Sequence, residues 1–367
     1  MSLKDRNPYG RAYNPNRFNT TDSALAYILV LSAFYFIPLA LSWMFKSAFN
    51  ALYKFDYYAY ASVNAIVSQS IILLSAAVFA KLRRVNPFDG GGYRAKFDGV
   101  AILMGIVLIM GVMLTFYYVH LRFGEDAEKI VGSYFPSKIN QSDFTPLFFV
   151  VYLALISVLP AIIEEMMFRG IIMRGLESFG AFAAVIISSM AFSLMHGNFS
   201  QLILQFFGGI AIGTAVILTK NQLVGIAMHF FNNLFSTAFT VLISTELITE
   251  PIFLYVPYVT DAACIVIGIT CLIVGSLYFY KLALKVKNGD SPNCSDKNAK
   301  RYVVFLSGVA EFKSCYDVVE LGDKNFDDGK RYYICGKMRK MNRKSNAVIS
   351  SLLLATGGVI AIALMFI

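Results

Sequence analysis

Eight long stretches without Asp, Glu, Lys or Arg constrain this chain more than any other feature. They cover residues 23–45, 57–80, 99–121, 144–163, 178–219, 221–245, 262–280 and 345–367. A helix needs about 20 apolar residues to cross a hydrocarbon core of roughly 30 Å. The run 178–219 is long enough for two helices that turn near Gly197 and Asn198, so the sequence predicts about nine transmembrane helices. With 57% hydrophobic and 15% charged residues, the composition excludes a water-soluble fold.

The pattern predicts an all-α polytopic membrane protein in four parts. Residues 1–22 form an N-terminal tail, 23–286 an eight-helix membrane core, 287–345 a basic insert, and 346–367 a last transmembrane helix. The insert alternates polar and apolar residues between glycines, which is typical of a small β-rich module. The five cysteines of the chain lack CxxC spacing, and the insert has no histidine, so a Cys-based zinc site is not predicted.

The distribution of basic residues predicts the orientation in the membrane. If the N-terminus is cytosolic, 27 of the 32 Lys and Arg residues fall on the inner side, including Arg169 and Arg174 between the fourth and fifth spans. The C-terminus then lies outside and the insert is cytosolic, most simply in a bacterial plasma membrane. Topology and contact with anionic lipid explain the net charge of +9, so no nucleic-acid partner is expected. The sequence leaves the oligomeric state open.

A few ionisable residues interrupt the apolar helices, where a charge is costly and indicates function. Glu165 and Arg169 are i,i+4 neighbours on one helix face and predict an ion pair. Glu164 has no such local partner, which favours it as a general base. Pro160 frees the carbonyl of Ile156 just before the two carboxylates. Taken singly, these features also suit polar contacts that only hold helices together.

Two further helices carry histidines at the same spacing. Phe192 precedes His196 by four residues, so its ring can shield the imidazole, and His229 precedes Asn233 by four. Asn233 can bond the imidazole or a developing oxyanion. Gly209 and Gly213, in GxxxG spacing, favour close helix packing around a site.

Together these motifs resemble one family. Glu164-Glu165-Met-Met-Phe-Arg169, Phe192-Ser-Leu-Met-His196 and His229-Phe-Phe-Asn-Asn233 are similar, in this order, to the motifs of the CPBP intramembrane proteases. That family includes CAAX-prenyl endoproteases and bacterial proteins of bacteriocin processing and self-immunity. The resemblance spans roughly residues 144–245 and does not extend to 281–367.

The resemblance implies an intramembrane endopeptidase that hydrolyses a membrane-associated, hydrophobic or lipidated peptide. Glu164 would activate water, Glu165 and Arg169 would support it, and His196, His229 and Asn233 would complete the site. The chemistry leaves two routes open. Either Glu164, His196 and His229 bind Zn²⁺ with an open position for water, or the water is activated without a metal.

Two other classes of protein compete with the protease. A non-catalytic scaffold or immunity protein would use the same residues as structure, and a small-solute transporter would use them to carry protons. Transporters commonly show repeated halves, and none is visible along this chain.

A strict antiparallel threading places His196 and Glu164 on opposite sides of the membrane, unless the fourth helix continues past Arg169 toward Leu176.

Overall fold

A computed structural model describes residues 18, 20–83, 97–131, 146–179, 181–197, 199–244, 257–288 and 348–363. All elements within these ranges are helical. They are α1 (Thr20–Met44), α2 (Lys46–Phe55), α3 (Tyr57–Arg83), α4 (Gly99–Val131), α5 (Pro146–Glu165), a π-helical segment (Met166–Met173), α6 (Arg174–Leu176), a 3₁₀ turn (Glu177–Phe179), α7 (Ala181–Met195), α8 (Phe199–Thr219), α9 (Gln222–Ser244), α10 (Pro257–Asn288) and α11 (Val348–Ala363). The predicted β-rich insert lies outside the described residues.

Helices occupy all nine predicted places, although not all are long enough to cross a membrane. Among the described residues, six helices are long and apolar enough to span, and α7 and α11 are shorter apolar helices. The chain is therefore an integral membrane protein, and the count of nine spans stays a prediction. The structure also contains the amphipathic helix α2, which lies between the first two predicted spans and outside all of the uncharged runs.

Polar caps determine where three of the helices begin. Asp56, Asp98 and Asn221 each accept a hydrogen bond from a backbone N–H in the first turn of α3, α4 and α9, at 2.9, 3.1 and 3.0 Å. Such side chains satisfy the amides that a helix N-terminus leaves without partners. Two of these caps, Asp56 and Asp98, are charged residues that bound the uncharged runs, and the third, Asn221, is neutral.

The predicted turn within 178–219 is confirmed. α7 ends at Met195, α8 begins at Phe199, and Gly197 between them has a φ of +62°. A side chain is disfavoured there by this backbone conformation and by the hydroxyl of Tyr35, which occupies the space that a Cβ would need. Gly197 therefore allows a tight reversal at the end of α7.

The fourth membrane helix extends past Arg169, which is the alternative that the sequence offered to bring Glu164 and His196 to a similar depth. It continues from α5 through the π-helical segment to Leu176, so Arg169 and Arg174 are buried within it and do not lie in a cytosolic loop. These two cations therefore cannot serve as evidence for orientation. At about 1.5 Å per residue, Glu164 lies roughly 18 Å from Leu176, and the 15 residues of α7 return His196 by about 22 Å. The predicted mismatch in depth between Glu164 and His196 disappears.

Glycines let neighbouring helices pack closely. Gly111 of α4 lies against the backbone at Leu272 of α10, and Gly268 and Gly275 of α10 lie against Thr115 and Leu108 of α4. The residue numbers of these pairs rise along α4 as they fall along α10, so the two helices are antiparallel. Small residues allow this approach in membranes, where dispersion contacts hold helices together.

Candidate active site

The predicted site residues lie together where the end of α5 meets α7 and α9. Glu164 and Glu165 end α5, Arg169 lies in the π-helical segment, and all eight residues of that segment are buried. His229 comes from α9 and is also buried. π-helical turns occur often at functional sites because they change which side chains face inward.

Glu165 connects three of the elements. Its Oε1 accepts from Nδ1 of His229 at 2.9 Å and lies 3.0 Å from a guanidinium nitrogen of Arg169. Glu165 and Arg169 are each only 1% exposed. Arg169 also donates to the carbonyl of Gly209 on α8 at 3.2 Å, and its guanidinium lies 4.8 Å from the ring centre of Phe192. The predicted Glu165–Arg169 pair is thus present and is shared with α7, α8 and α9.

Glu164 has a partner that the sequence did not suggest. Its Oε1 accepts a hydrogen bond of 2.7 Å from the side-chain amide of Gln69 on α3. Its Oε2 faces Nε2 of His229 at 3.8 Å. The expectation was only that Glu164 lacks a local partner, and its hydrogen-bond donor comes from a residue 95 positions away on another helix. Gln69 is a polar residue inside the apolar run 57–80, and this position in the sequence could have indicated that it contacts a polar group inside the membrane.

The ring of Phe192 packs against both histidines. The rings of Phe192 and His196 lie 4.8 Å apart in a T-shaped arrangement, and the ring of His229 lies 5.6 Å from that of Phe192. Nδ1 of His196 lies 2.9 Å from the carbonyl oxygen of Phe192. A ring nitrogen beside a carbonyl acts as the donor, so this contact assigns the proton to Nδ1 and leaves Nε2 with its lone pair.

His229 has the same arrangement of its two nitrogens. Nδ1 lies against the carboxylate of Glu165, so in the neutral ring Nδ1 carries the proton and Nε2 presents a lone pair toward Glu164. An acceptor that fixes the tautomer and orientation of an imidazole is a common support of catalytic and metal-binding histidines. Both histidines are therefore oriented by contacts to oxygen atoms.

Asn233 contacts α5 where the proline interrupts it. Its side-chain amide donates to the carbonyl of Ile156 at 3.2 Å, which is the carbonyl that Pro160 leaves without its helical partner. The amide of Asn232 donates to Oδ1 of Asn233 at 3.2 Å. Asn233 thus satisfies the carbonyl at the proline, and among the described residues it is not hydrogen-bonded to the imidazole of His229.

The residues that the sequence suggested for a metal do not form a complete metal site. Within the described part of the chain, no group of three or more His, Cys, Asp or Glu side chains is arranged to hold a metal ion. Glu164 Oε2 and His229 Nε2 approach each other, but His196 is not brought into one ligand set with them. The set Glu164, His196 and His229 as zinc ligands stays a prediction.

Comparison with known proteins defines the class of this site. Residues 146–235 match the family described as Type II CAAX prenyl endopeptidase Rce1-like. This segment covers all three sequence motifs and about a quarter of the chain. The predicted resemblance to the CPBP and CAAX intramembrane proteases is confirmed for this segment. No curated protein and no solved structure gives a significant match to the chain.

Proposed function

We propose that this protein is an intramembrane endopeptidase in which Glu164 activates the water that cleaves a peptide bond. One observation carries the proposal: Glu164 Oε2 and His229 Nε2 are acceptors 3.8 Å apart, and each belongs to a side chain held by a further contact. A water molecule between two such acceptors can donate one hydrogen to each. The lone pair of its oxygen then remains available for attack.

The proposed reaction needs one proton carrier. Glu164 takes a proton from the water as the oxygen attacks the carbonyl carbon of the substrate, and a tetrahedral oxyanion forms. When the carbon–nitrogen bond breaks, Glu164 returns the proton to the departing amine. His229 orients the water, and Glu165 with Arg169 orients His229. The oxyanion is stabilised by the second amide hydrogen of Asn233, because only one of the two is donated to Ile156.

The site lies within the membrane, and this supports a hydrophobic or lipidated substrate. Glu164 lies roughly 18 Å along the helix from Leu176, so a substrate must enter between apolar helices. The matched family is described as CAAX prenyl endopeptidases. We therefore propose a prenylated or similarly apolar peptide, reached from the cytosolic side of a bacterial plasma membrane. The orientation rests on the basic residues of 1–22, 81–98 and 281–345.

A peptide assay in isotopically labelled water tests the proposal. The purified protein is incubated in H₂¹⁸O with a synthetic peptide that ends in a prenylated CAAX sequence, and with the same peptide without the lipid. We expect two product fragments and one ¹⁸O atom in the new carboxylate, with faster cleavage of the prenylated peptide. Both peptides remaining intact would contradict the proposal and would favour a scaffold, an immunity protein or a transporter.

The metal alternative is tested in the same assay. Because the described arrangement does not complete a metal site, we expect cleavage to continue after exhaustive treatment with a chelator. Loss of cleavage that is restored by Zn²⁺ would show that the reaction requires a metal and would contradict the metal-free route. The measurement is the initial rate before chelation, after chelation and after addition of Zn²⁺.

A further inference from the structure

Helix α3 contributes a buried amide directly to the proposed general base. Gln69 is 5% exposed and Glu164 is 6% exposed, and their side chains meet at 2.7 Å. An ionised carboxylate only accepts hydrogen bonds, so the amide nitrogen of Gln69 is the donor. α3 lies outside the matched segment 146–235, so the family match does not include this contact.

The packing of α3 on α5 holds this contact in place. The two helices run in the same direction, because Tyr58 packs against Phe149 and Tyr152 near their starts, and Gln69 meets Glu164 further along. The ring centres of Tyr58 and Tyr152 lie 5.6 Å apart, and Tyr58 is almost fully buried. An aromatic contact at one end therefore sets the register that brings Gln69 opposite Glu164.

The amide of Gln69 has no other described use. Its Oε1 is buried without a hydrogen-bond partner among the described residues, and its amide nitrogen bonds Glu164. Burying an amide in an apolar environment costs free energy unless it is hydrogen-bonded. A charge-assisted hydrogen bond is stronger than a neutral one, so the bond to Glu164 offsets part of that cost.

This bond distinguishes the two oxygens of the Glu164 carboxylate. Oε1 is held by Gln69, while Oε2 has no hydrogen-bond partner among the described residues and faces His229. Without Gln69, the carboxylate could rotate about its last bond and exchange the two oxygens. We propose that Gln69 is a positioning residue, which fixes the Glu164 carboxylate so that Oε2 receives the proton of the attacking water. This inference rests on the proposed function.

Replacement of Gln69 by methionine tests the kinetic consequence. Gln69→Met keeps the length and flexibility of the side chain and removes the donor. We expect kcat for the prenylated peptide to fall about 10-fold to 100-fold, because small misplacements of a reacting group have effects of this size. KM should stay within about 2-fold, because the change acts on the base and not on the bound substrate.

Ser75→Ala is the matched control on the same helix. Ser75 is buried and bonds the carbonyl of Ile71 in its own helix, so it tests whether any loss of a polar group from α3 slows the reaction. We expect kcat within about 2-fold of the wild-type value. Equal losses of kcat in Gln69→Met and Ser75→Ala would overturn the positioning role.

A stability cycle tests the contact without using activity. Gln69→Met should lower Tm in the wild-type background by on the order of 2 °C, because it leaves Glu164 Oε1 without its donor. In the Glu164→Leu background the same change should leave Tm unchanged or raise it, because Gln69 is there a buried amide without its acceptor. Additive shifts in Tm would overturn the contact. If the wild-type protein cleaves neither peptide, the proposed function fails and the positioning role fails with it. If the wild-type protein is active and Gln69→Met has a normal kcat, only the positioning role is overturned.

Discussion

Glu165 holds more of the site together than the residue assigned to the chemistry. It pairs with Arg169 and orients His229 while being almost fully buried. Removing one member of a buried ion pair leaves a charge without compensation. A change at Glu165 should therefore affect folding and catalysis together, whereas a change at Glu164 should affect mainly catalysis.

Glu165→Gln tests this division. We expect a loss of about 3–5 kcal/mol in the free energy of unfolding, because Arg169 stays buried without its counter-charge. Glu177→Gln is the comparison, since Glu177 is 14% exposed in its pair with Arg174 while Glu165 is 1% exposed, and its expected cost is smaller because water reaches this carboxylate. The measurement is denaturant unfolding in detergent micelles. Equal stability of the two variants would show that the buried pair contributes little.

At the scale of single residues, sequence spacing predicted contacts within one helix and missed contacts between helices. The pair Glu165–Arg169 and the packing of Phe192 on His196 follow from i,i+4 spacing and are present. Gln69 and Glu164 are 95 residues apart, and nothing in the spacing of either helix determines which face of α3 meets α5. The amide of Asn233 could bond several groups, and the proline on a different helix determined which one it bonds.

At the scale of the helices, two glycines, Gly209 and Gly213, lie where α8 approaches α7 and the π-helical segment, and Gly209 is the more tightly packed. A Cβ on Gly209 would lie 3.0 Å from Cβ of Ser189 and 3.2 Å from its Cα, while the carbonyl of Gly209 accepts from Arg169. A Cβ on the adjacent Gly208 would meet only the end of Ile109 at 3.5 Å, which is an ordinary contact. Two neighbouring glycines thus offer a matched pair of substitutions.

Gly209→Ala should destabilise the protein by about 1–3 kcal/mol, because α8 must move away from α7 or Ser189 must shift. Gly208→Ala should be neutral or stabilising by up to about 1 kcal/mol, because alanine favours the helix. Thermal unfolding and the initial rate of peptide cleavage measure both variants. The packing described for α8 would be wrong if Gly208→Ala were the more damaging of the two.

The proline in α5 and Asn233 form a second junction between helices. The Asn233 amide replaces the partner that Pro160 removes from Ile156. Asn233→Ala should cost about 1 kcal/mol of stability by leaving that part-buried carbonyl without its donor, and it should also lower kcat. Asn232→Ala keeps the bond to Ile156 and should cost less. Equal stability and kcat of Asn233→Ala and wild type would refute both roles of Asn233.

For the whole molecule, the apolar runs predicted where helices lie, but not how they pack. The run 178–219 divided at Gly197 as expected because a helix of 42 residues would exceed the membrane. The extension of α5 to Leu176 was one of two alternatives that the sequence left open, because Glu164, Glu165, Arg169 and Arg174 look like the end of a span until their partners are known. The last helix, α11, packs Gly357 against Tyr27 of α1, a contact between opposite ends of the chain that no local pattern indicates.

Cysteine labelling tests the orientation of the whole chain. The insert contains Cys294, Cys315 and Cys335, and its basic charge predicts a cytosolic position. With Cys264 and Cys271 replaced by alanine, an impermeant maleimide should label these cysteines only after the cells are permeabilised. Ser133 lies between the third and fourth predicted spans, which is outside the cell in the predicted topology. As a control, Ser133→Cys in a variant without native cysteines should therefore be labelled in intact cells. Labelling of the insert in intact cells would reverse the proposed orientation.

The central claim is that Glu164 is the base that activates water. Glu164→Gln keeps the size of the side chain and removes the carboxylate, so the single-turnover rate of prenylated-peptide cleavage measures the base directly. We predict a loss of about 10²-fold to 10⁴-fold in this rate, with peptide binding and Tm close to wild type. A Glu164→Gln protein that cleaves within about 3-fold of the wild-type rate would contradict the account.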